Sequence, residues 1–264
     1  MNVQREGSDG TVGKALDVLD RVAAYGRPVR FSEVLEESPF PKATLYRLLQ
    51  TLTNQGMLTF DRTHNTYSPG MRLVRMAHAA WAQSSLAPVA RQHLDDLSGL
   101  VGETVHLAQL DGAHVLYVDK RTPAAALPMY SDAGKVGPAY CTGVGKAMLA
   151  WLPKPELDRV LAQQSWHPFT DTTLTTPEAL IAELAVIRAE GHAFDREEHE
   201  RGIQCIAMPV LSPGGHVRGA VSVTSSVARG PLAQMERHLP HLTDAVTKIA
   251  GDLRDWRFPD KREG

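Results

Sequence analysis

The chain has 264 residues, of which 43% are hydrophobic and 22% charged, with a formal net charge of −2 at pH 7. This composition is typical of a globular protein, and the length suggests two domains. No apolar stretch is long enough to span a bilayer, so we expect no membrane association. Two cysteines, Cys141 and Cys205, are too few for a disulfide framework, which favours a cytoplasmic protein with free thiols. Residues 1–10 are polar and lack the apolar core of a signal peptide, so they predict a disordered N-terminal lead.

The first predicted elements are three helices. Residues 11–25 carry apolar side chains at helical spacing, and Gly26 follows as a stop signal. A short helix is predicted over residues 31–37. After the turn of residues 38–40, a further helix begins at Pro41, because proline fits the first helical turn, where no amide partner is needed. A helix, a tight turn and a second helix form the layout of a helix-turn-helix.

The helix that begins at Pro41 has two faces of different chemistry. One face is apolar, and the other carries side chains that can reach the phosphates and base edges of DNA. This pattern is typical of a recognition helix, although an ordinary amphipathic helix would show it too. The apolar face comprises Leu45, Leu48, Leu49 and Leu52, and the polar face comprises Lys42, Thr44, Tyr46, Arg47 and Gln50.

The segment that follows predicts the wing of a winged helix. Gly56 ends the helix, and two short strands are predicted on either side of residues 61–64. Residues 38–80 contain five Lys or Arg against one acid, although the whole chain is slightly acidic. Such a basic patch indicates a surface that contacts phosphates, here with Arg62 on the wing. Because the excess is small, we expect the protein to bind double-stranded DNA as a dimer.

A helix predicted over residues 71–85 suits a linker between two domains. It follows the wing, and it ends before Pro88, where the sequence pattern changes. We interpret its apolar stripe as a surface for dimer packing or for docking onto the second domain. The stripe comprises Leu73, Met76, Ala77, Ala80 and Trp81.

The pattern after Pro88 is mixed and predicts an α+β domain. Asp111-Gly112 between alternating apolar runs indicates a hairpin. Helices that flank an antiparallel sheet are expected. Helices are predicted over residues 89–100, from Gly143, and over 155–163, 177–190 and 231–256; strands are predicted over 103–110, 114–120, 136–140, 192–195, 204–211 and 217–224.

Two segments of this domain carry candidate binding chemistry. In the first, residues 141–146 place glycines ahead of an apolar helix, where free amides can face an anion such as a carboxylate. The glycine spacing is not that of a nucleotide-binding loop, and a glycine turn packed under the sheet is the alternative. The second segment, residues 195–210, joins an acidic loop to a buried strand. Asp195 and Cys205 lie at strand ends and could turn inward, whereas a solvated charged loop is the alternative for its other charges.

These segments together resemble the IclR family of bacterial transcriptional regulators. The similarity extends over about residues 11–255 and follows a specific order and spacing. It implies a winged helix-turn-helix, a linker helix and a C-terminal GAF-like domain that binds a small effector, in a homodimer or tetramer. The matching segments are Lys42-Ala43-Thr44-Leu45-Tyr46-Arg47-Leu48-Leu49, Cys141-Thr142-Gly143-Val144-Gly145-Lys146-Ala147-Met148-Leu149-Ala150, residues 197–209, and Ala220-Val221-Ser222-Val223-Thr224.

The resemblance also implies an effector site. In similar proteins the contacts come from the glycine helix start, an acid, a cysteine, two hydroxyls and a loop residue. An acid such as Asp195 beside an anionic ligand would either accept a hydrogen bond from a ligand hydroxyl or be protonated. The matching positions are Met129, Gly143, Val144, Asp195, Cys205, Ser222 and Thr224. The predicted domains are the lead at 1–10, the DNA-binding domain at 11–70, the linker helix at 71–86 and the effector domain at 87–258.

We therefore expect a transcriptional regulator, without cofactor or metal, whose affinity for operator DNA is controlled by a small organic acid. One alternative is an enzyme with Cys141 or Cys205 as nucleophile. Its base would be one of His106, His114, His199 and His216, although nothing in the sequence pairs a particular histidine with either cysteine. The other alternative is a sensor that binds metal through Asp195, His199 and Cys205, whose spacing matches no structural zinc pattern.

Overall fold

The structure is a computed structural model that describes residues 10–84, 86–123 and 129–253, without the side chains of residues 81–84. The chain forms two compact units that meet in sequence between Ala82 and Gln83. Residues 1–9 of the predicted N-terminal lead and the last five residues of the predicted effector domain, 254–258, lie outside the described residues. Among the described helices, none combines the length and hydropathy that crossing a bilayer requires.

The first unit is a winged helix-turn-helix. Its three-stranded antiparallel sheet has the order β1-β3-β2, and the two strands of the wing, β2 and β3, pair from Leu58 opposite Pro69 to Asp61 opposite Thr66. A core that includes Val18, Val22, Leu45 and Leu49 joins the helices to this sheet. The elements are α1 (Thr11–Ala24), β1 (Val29–Arg30), α2 (Phe31–Glu36), α3 (Lys42–Asn54), β2 (Leu58–Asp61), β3 (Thr66–Pro69) and α4 (Met71–Ser84).

The predicted linker segment forms the helix α4. Leu73 of its apolar stripe packs against the core of the first unit. Met76, in contrast, is 52% exposed, and Met71 and Val74 are exposed too. The side chain of Trp81 lies outside the part of the chain that the structure describes. Contact of this stripe with a second protein surface therefore stays a prediction.

The second unit is built on one six-stranded sheet, as the α+β pattern predicted. Every pairing in the sheet is antiparallel, and the strand order is β6-β5-β4-β9-β8-β7. The Asp111-Gly112 hairpin is confirmed, because Asp111 pairs with His114. The elements are α5 (Ala87–Val101), β4 (Thr104–Asp111), β5 (His114–Arg121), β6 (Val136–Pro138), α6 (Gly143–Leu149), α7 (Lys154–Leu161), α8 (Pro177–Glu190), β7 (Ala193–Arg196), β8 (Ile203–Leu211), β9 (Val217–Ser226) and α9 (Leu239–Asp252).

The two faces of this sheet pack against different helices. Val221 and Val223 of β9 lie in a core with α5 and α9, whereas Ala220 lies in a core with α6 and α8. Successive side chains of a strand point to opposite faces. Ser222 and Thr224 therefore share the α6 side of the sheet with Ala220, and this alternation brings them toward the glycine helix start.

The closing segment differs from the single helix predicted over residues 231–256. It is a 3-10 helix, Leu232–His238, followed by α9. Pro240 explains the change, because proline lacks an amide and its ring crowds the carbonyl four residues earlier. An α-helix can therefore begin near Pro240 but cannot run through it from residue 231. Residues 254–256 of the predicted helix lie outside the described residues.

Candidate functional site

The polar face predicted for α3 points outward from the first unit. Leu45, Leu48 and Leu49 are at most 2% exposed, which seats the helix on the core. Lys42, Tyr46 and Arg47 are exposed, and Thr44 is half buried. Because the leucines repeat at helical spacing, their burial forces the polar side chains to the other side. The helix therefore presents an exposed polar surface suited to a DNA groove.

An aromatic groove lies beside this surface and was not foreseen from the sequence. The ring of Tyr46 meets the ring of Phe31 edge-on, with 6.2 Å between their centroids. Phe60 and Tyr67, on the paired wing strands, line the same groove as Tyr46 and Lys42. Only the fold brings the wing strands to α3. The groove could not be predicted from the spacing of residues in the sequence. Within it, the Phe31 ring packs against the Tyr46 ring.

The wing tip exposes Arg62 and restrains the acid beside it. Asp61 accepts hydrogen bonds from the backbone amide of Thr63 and from the His64 ring, both at 2.7 Å. The His64 and Thr63 hydrogen bonds hold the pKa of the Asp61 carboxyl below its usual range. This carboxylate is thus engaged within the turn, while Arg62 is exposed.

One arginine of the basic segment has a structural role. The Arg72 guanidinium donates to the backbone carbonyl of Gln55 at 2.9 Å and to its side-chain carbonyl at 3.1 Å. These bonds join the start of α4 to the end of α3. Arg72 therefore contributes to the basic charge of the segment but is committed to holding the two helices together.

A buried cavity in the second unit brings together most of the predicted effector residues. Gly143, Val144, Asp195, Cys205, Ser222 and Thr224 all line it. Met129 is half buried and is not among the lining residues, so the structure does not bring this predicted contact to the cavity. The cavity volume is about 30 Å³, which is the space of about one water molecule. The remaining lining residues are His106, Tyr117, Ser131, Thr142, His199, Glu200 and Ile203.

The glycines of the predicted anion site allow α6 to approach the sheet closely. A β-carbon on Gly143 would collide with the Cys205 sulfur, and one on Gly145 would collide with the Ala139 carbonyl. All seven residues of α6 are buried. The alternative from the sequence, a glycine turn packed under the sheet, is therefore correct for the packing. The same packing leaves the first amides of α6, at the edge of the cavity, without partners within the helix.

An imidazole–hydroxyl cluster forms one wall of the cavity. His106 on β4 lies opposite Ser222 on β9 in the register of the sheet. Its Nδ1 is 3.2 Å from the Thr224 hydroxyl, and its Nε2 is 2.8 Å from the Ser131 hydroxyl. Burial lowers the pKa of His106 to about 4, so its ring is neutral at pH 7. A neutral ring has one donor and one acceptor nitrogen and can bond a hydroxyl in either sense.

Asp195 forms the acidic wall, and its environment favours the protonated form. Burial and the nearby Glu198 charge raise the pKa of Asp195 to about 7. The backbone amide of Glu198 donates to the Asp195 carboxyl at 2.8 Å and limits this rise. The sequence left two ways for Asp195 to lie beside an anionic ligand: it accepts a hydrogen bond from a ligand hydroxyl, or it is protonated. Burial gives a physical cause for partial protonation at neutral pH. It does not exclude a hydrogen bond from a ligand hydroxyl.

Lys146, the charged residue of the glycine segment, is turned away from the cavity. Its side chain is completely buried and forms an ion pair with Glu198. Glu183 lies 3.4 Å from the same ammonium group and also pairs with Arg196 at 2.6 Å. The lysine thus ties α6 to the loop after β7, which carries Glu200 toward the cavity, while Asp195 lies on β7 itself. Its positive charge is met by these acids and is not presented to a ligand.

The two alternative chemistries find little support in the geometry. Burial raises the pKa of both the Cys141 and Cys205 thiols, and a protonated thiol is a poor nucleophile. His106 bonds to hydroxyls rather than to a thiol. Asp195, His199 and Cys205 line the same cavity, but the described residues contain no group of three or more such side chains that could hold a metal ion.

Several lining residues were not predicted as effector contacts. His106 and His199 were considered only as a base or a metal ligand, and Tyr117, Ser131 and Glu200 had no predicted contact with a ligand. His106 and Ser222 are 116 positions apart in the chain. They meet because β4 pairs with β9, and no local spacing in the sequence reveals which strands pair. The apolar–polar alternation of β4 was the only available signal, since it puts His106 and Ala108 on one face.

A winged helix with an outward polar face, joined in one chain to an α+β unit with an internal polar cavity, defines the class of transcriptional regulators with a separate sensor domain. Comparison with known families agrees. Residues 11–62 match the IclR helix-turn-helix domain, and residues 78–251 match the C-terminal domain of bacterial transcriptional regulator IclR. The chain belongs to the IclR family of bacterial transcriptional regulators.

Individual relatives match more than nine-tenths of the chain. The HTH-type transcriptional regulator XynR of Escherichia coli K12 is 32% identical, and the match covers 91% of this chain and 97% of that protein. The crystal structure of Thermotoga maritima IclR is 30% identical, with a TM-score of 0.76, and the match covers 92% of this chain and 98% of that one. An IclR homologue from Microbacterium hydrocarbonoxydans, complexed with 4-hydroxybenzoate, has the same fold: its TM-score is 0.82 at 23% identity, with 94% and 100% of the chains covered.

Proposed function

We propose that a small organic acid binds in the cavity of the second unit and controls the affinity of this regulator for operator DNA. The main support for this proposal is that the predicted effector residues meet at one place in the fold. Residues from α6, β7, β8 and β9 that are far apart in sequence line one buried polar cavity. Polar groups that converge on one concave site are a usual feature of ligand binding, because they fix the orientation of the ligand. The 4-hydroxybenzoate complex of a homologue supports a small molecule as effector in proteins of this fold.

The carboxylate of the acid would meet the backbone amides of Gly143–Gly145 together with the hydroxyls of Ser222 and Thr224. These amides have no partner within α6, and such amides bind anions. Val144 and Cys205 would form the apolar part of the wall. Met129 does not line the cavity, so a contact with the ligand would require Met129 to move toward it. Protonation of Asp195 would reduce its repulsion of the anion.

Binding would have to change the conformation of the second unit. The cavity now has room for about one water, so an acid must push the surrounding walls apart. The ligand then favours the expanded arrangement, and such a difference in affinity between two states is what allosteric control requires. We infer that this expansion is the event that alters DNA binding.

On the DNA side, Lys42, Thr44, Tyr46 and Arg47 would contact bases and phosphates in the major groove. Arg62 on the wing would contact the adjacent backbone. We propose a cytoplasmic homodimer or tetramer, because one winged helix with a small basic excess would bind weakly. No residue is assigned a catalytic role, which accords with the relatives' names as regulators.

The substitution Ser222→Leu tests the effector site. The leucine side chain needs more space than the cavity offers, so release of DNA by the effector should be lost. Thermal melts establish that the variant keeps its fold, and operator binding should then persist. Ser225→Ala is the matched control: Ser225 is a buried neighbour on β9 that does not line the cavity. Calorimetry with a panel of small acids and gel-shift titrations would be run on both variants. Normal effector-induced release from Ser222→Leu would show that the effector binds elsewhere.

A further inference from the structure

The aromatic groove of the first unit lies between two elements that are proposed to contact DNA. Lys42 and Tyr46 line it from α3, and Asn65, in the turn between the two wing strands, lines it from the wing. Its volume is about 720 Å³, inside the range of roughly 300–1,000 Å³ that is typical of small-molecule sites. The groove is therefore large enough to receive a group of the size of one nucleotide.

Four aromatic rings form the apolar surface of the groove. Phe60 and Tyr67 are opposite each other in the pairing of the wing strands, and their ring centroids are 4.8 Å apart. Tyr67 is buried, and Phe31 and Phe60 are half buried against the same core, so these three rings are held in place. Tyr46, in contrast, is 56% exposed and meets the Phe31 ring edge-on. An apolar surface that stays open between polar surroundings marks an interaction site.

The geometry of DNA indicates what passes between α3 and the wing. In B-DNA a single sugar–phosphate strand separates a major groove from the minor groove beside it. A helix that lies in the major groove and a wing that reaches past it toward the minor groove must hold this strand between them. The aromatic groove is continuous with the proposed DNA surface, because Lys42 and Tyr46 belong to both.

The charges around the groove favour the same occupant. Lys42 lines the groove and is exposed, and Arg62 is exposed on the wing. The one acid among residues 38–80, Asp61, accepts hydrogen bonds from the Thr63 amide and the His64 ring within the wing turn. Positive side chains beside an apolar floor match a nucleotide chain, in which negative phosphates alternate with sugar carbons.

We propose that the aromatic groove binds one deoxyribose of the DNA strand that runs between α3 and the wing. The sugar carbons pack against the rings of Tyr46 and Phe60, while Lys42 contacts an adjacent phosphate. The inference rests on the proposed DNA-binding surface and adds a contact of a different kind. Burial of sugar carbons releases no counterions, so its contribution to affinity should not depend on salt as a phosphate contact does.

The test on the protein side is fluorescence anisotropy of the purified full-length protein with DNA from upstream of its gene, at several salt concentrations. Tyr46→Ala removes an exposed ring, so affinity should fall about fivefold to tenfold at every salt concentration while the salt slope stays unchanged. Tyr46→Phe keeps the ring and should bind as the wild type does. An equal loss in Tyr46→Phe would assign the contact to the hydroxyl and overturn the inference.

A second pair of variants examines the wing. Phe60→Ala should lose affinity to a similar extent, again without a change in the salt slope. Thr59→Ala is the matched control, because Thr59 is exposed and its side chain points to the other face of the strand. Thermal melts establish that Phe60→Ala keeps its fold, and Tyr46→Ala tests the groove without removing a buried side chain.

A ribonucleotide scan tests the groove from the DNA side. Single ribonucleotides replace deoxyribonucleotides in turn within the footprinted duplex. A 2′-hydroxyl pressed against an aromatic ring has no hydrogen-bond partner, so the nucleotide in the groove should lose about fivefold in affinity for the wild type. The same replacement should have little effect on Tyr46→Ala, because the ring that crowds the hydroxyl is gone. Equal penalties for both proteins at every position would overturn the inference.

The outcomes separate this inference from the proposed DNA surface. Unchanged DNA affinity of both Tyr46→Ala and Phe60→Ala overturns the sugar contact, while losses in Lys42→Ala and Arg47→Ala would still support the surface. A salt slope that falls by about one in Tyr46→Ala indicates a lost phosphate contact and also overturns the inference. Normal binding by all four variants would overturn the proposed surface itself.

Discussion

At the scale of single residues, Arg47 and Lys42 are expected to make different kinds of DNA contact. A guanidinium can bond guanine in a bidentate way, so Arg47→Ala should cost about 1–3 kcal/mol of specific binding. Lys42→Ala should weaken binding to all sequences alike and reduce the salt slope by about one. Fluorescence anisotropy with operator and scrambled DNA at several salt concentrations measures both effects. Arg91→Ala, an exposed arginine of the second unit, is the control, and an unchanged operator affinity for Arg47→Ala would contradict this orientation of α3.

Asp195 should make the stability of the protein depend on pH. Its pKa is raised to about 7 in the folded state, mainly by burial, whereas an unfolded aspartate titrates near 3.9. The stabilising protonation is therefore complete below about pH 4 and is lost as the pH rises toward about 7. The loss is at most about 1.4 kcal/mol per pH unit. The charges of Glu198 and Glu200 add to the rise in the pKa of Asp195, whereas the Glu198 amide and the Lys146 charge oppose it.

The variant Asp195→Asn isolates this contribution. It keeps an oxygen that accepts from the Glu198 amide but has no proton to lose. The stability of the wild-type protein relative to the variant should fall between about pH 5 and pH 7. Urea unfolding of both proteins at several pH values measures the difference. Parallel stability curves would mean that Asp195 keeps an ordinary pKa in the folded protein.

At the scale of elements, the seat of α6 against the sheet depends on glycine. Gly145→Ala would drive a β-carbon into the Ala139 carbonyl and the Thr142 hydroxyl, so we expect a loss of about 1–3 kcal/mol in the free energy of unfolding. Gly99→Ala in α5 is the matched change, because open space surrounds that position. It should stabilise the same unit by about 0.5–1 kcal/mol. Denaturant unfolding of both variants checks the opposite signs, and equal stability of Gly145→Ala and wild type would contradict the tight seat.

At the scale of the whole molecule, three exposed apolar side chains of α4, only one of which belongs to the predicted stripe, suggest assembly. Met71, Val74 and Met76 are each more than half exposed in one chain, which is costly for large apolar side chains unless a partner covers them. We therefore expect a two-fold dimer that places two recognition helices one DNA turn, or a multiple of it, apart on a near-palindromic operator. Light scattering at micromolar concentration and footprinting measure these properties.

A charge in the stripe provides the matched test of assembly. Met76→Glu should shift the protein toward monomers and weaken operator binding, without unfolding the first unit. Leu16→Glu, an exposed apolar position on α1, controls for the added charge. A stable wild-type monomer that binds DNA as a monomer would refute the dimer.

The sequence alone determined the features that depend on local spacing. Leucines at helical intervals defined the buried side of α3 and thereby its polar face, and Asp111-Gly112 located a hairpin. Residues that match a known family pointed to six of the thirteen side chains and backbone positions around the cavity. The α3 face and the hairpin could be predicted because helix faces and tight turns follow from neighbouring residues, whereas the effector role of the six cavity residues stays a prediction. The prediction of one closing helix was wrong, because Pro240 lies inside the predicted range and interrupts the helix.

Only the tertiary structure decided how distant segments meet. His106 reaches Ser222 across 116 positions because β4 pairs with β9, and Lys146 is buried against Glu198, 52 positions away, because α6 packs beside the loop after β7. Met129 matched a ligand position by resemblance, yet the fold does not bring it to the cavity. Strand pairing and helix packing are chosen by the total burial of apolar surface and the pairing of all buried polar groups. The total burial and the pairing of polar groups depend on the whole chain, so they cannot be read from any single segment.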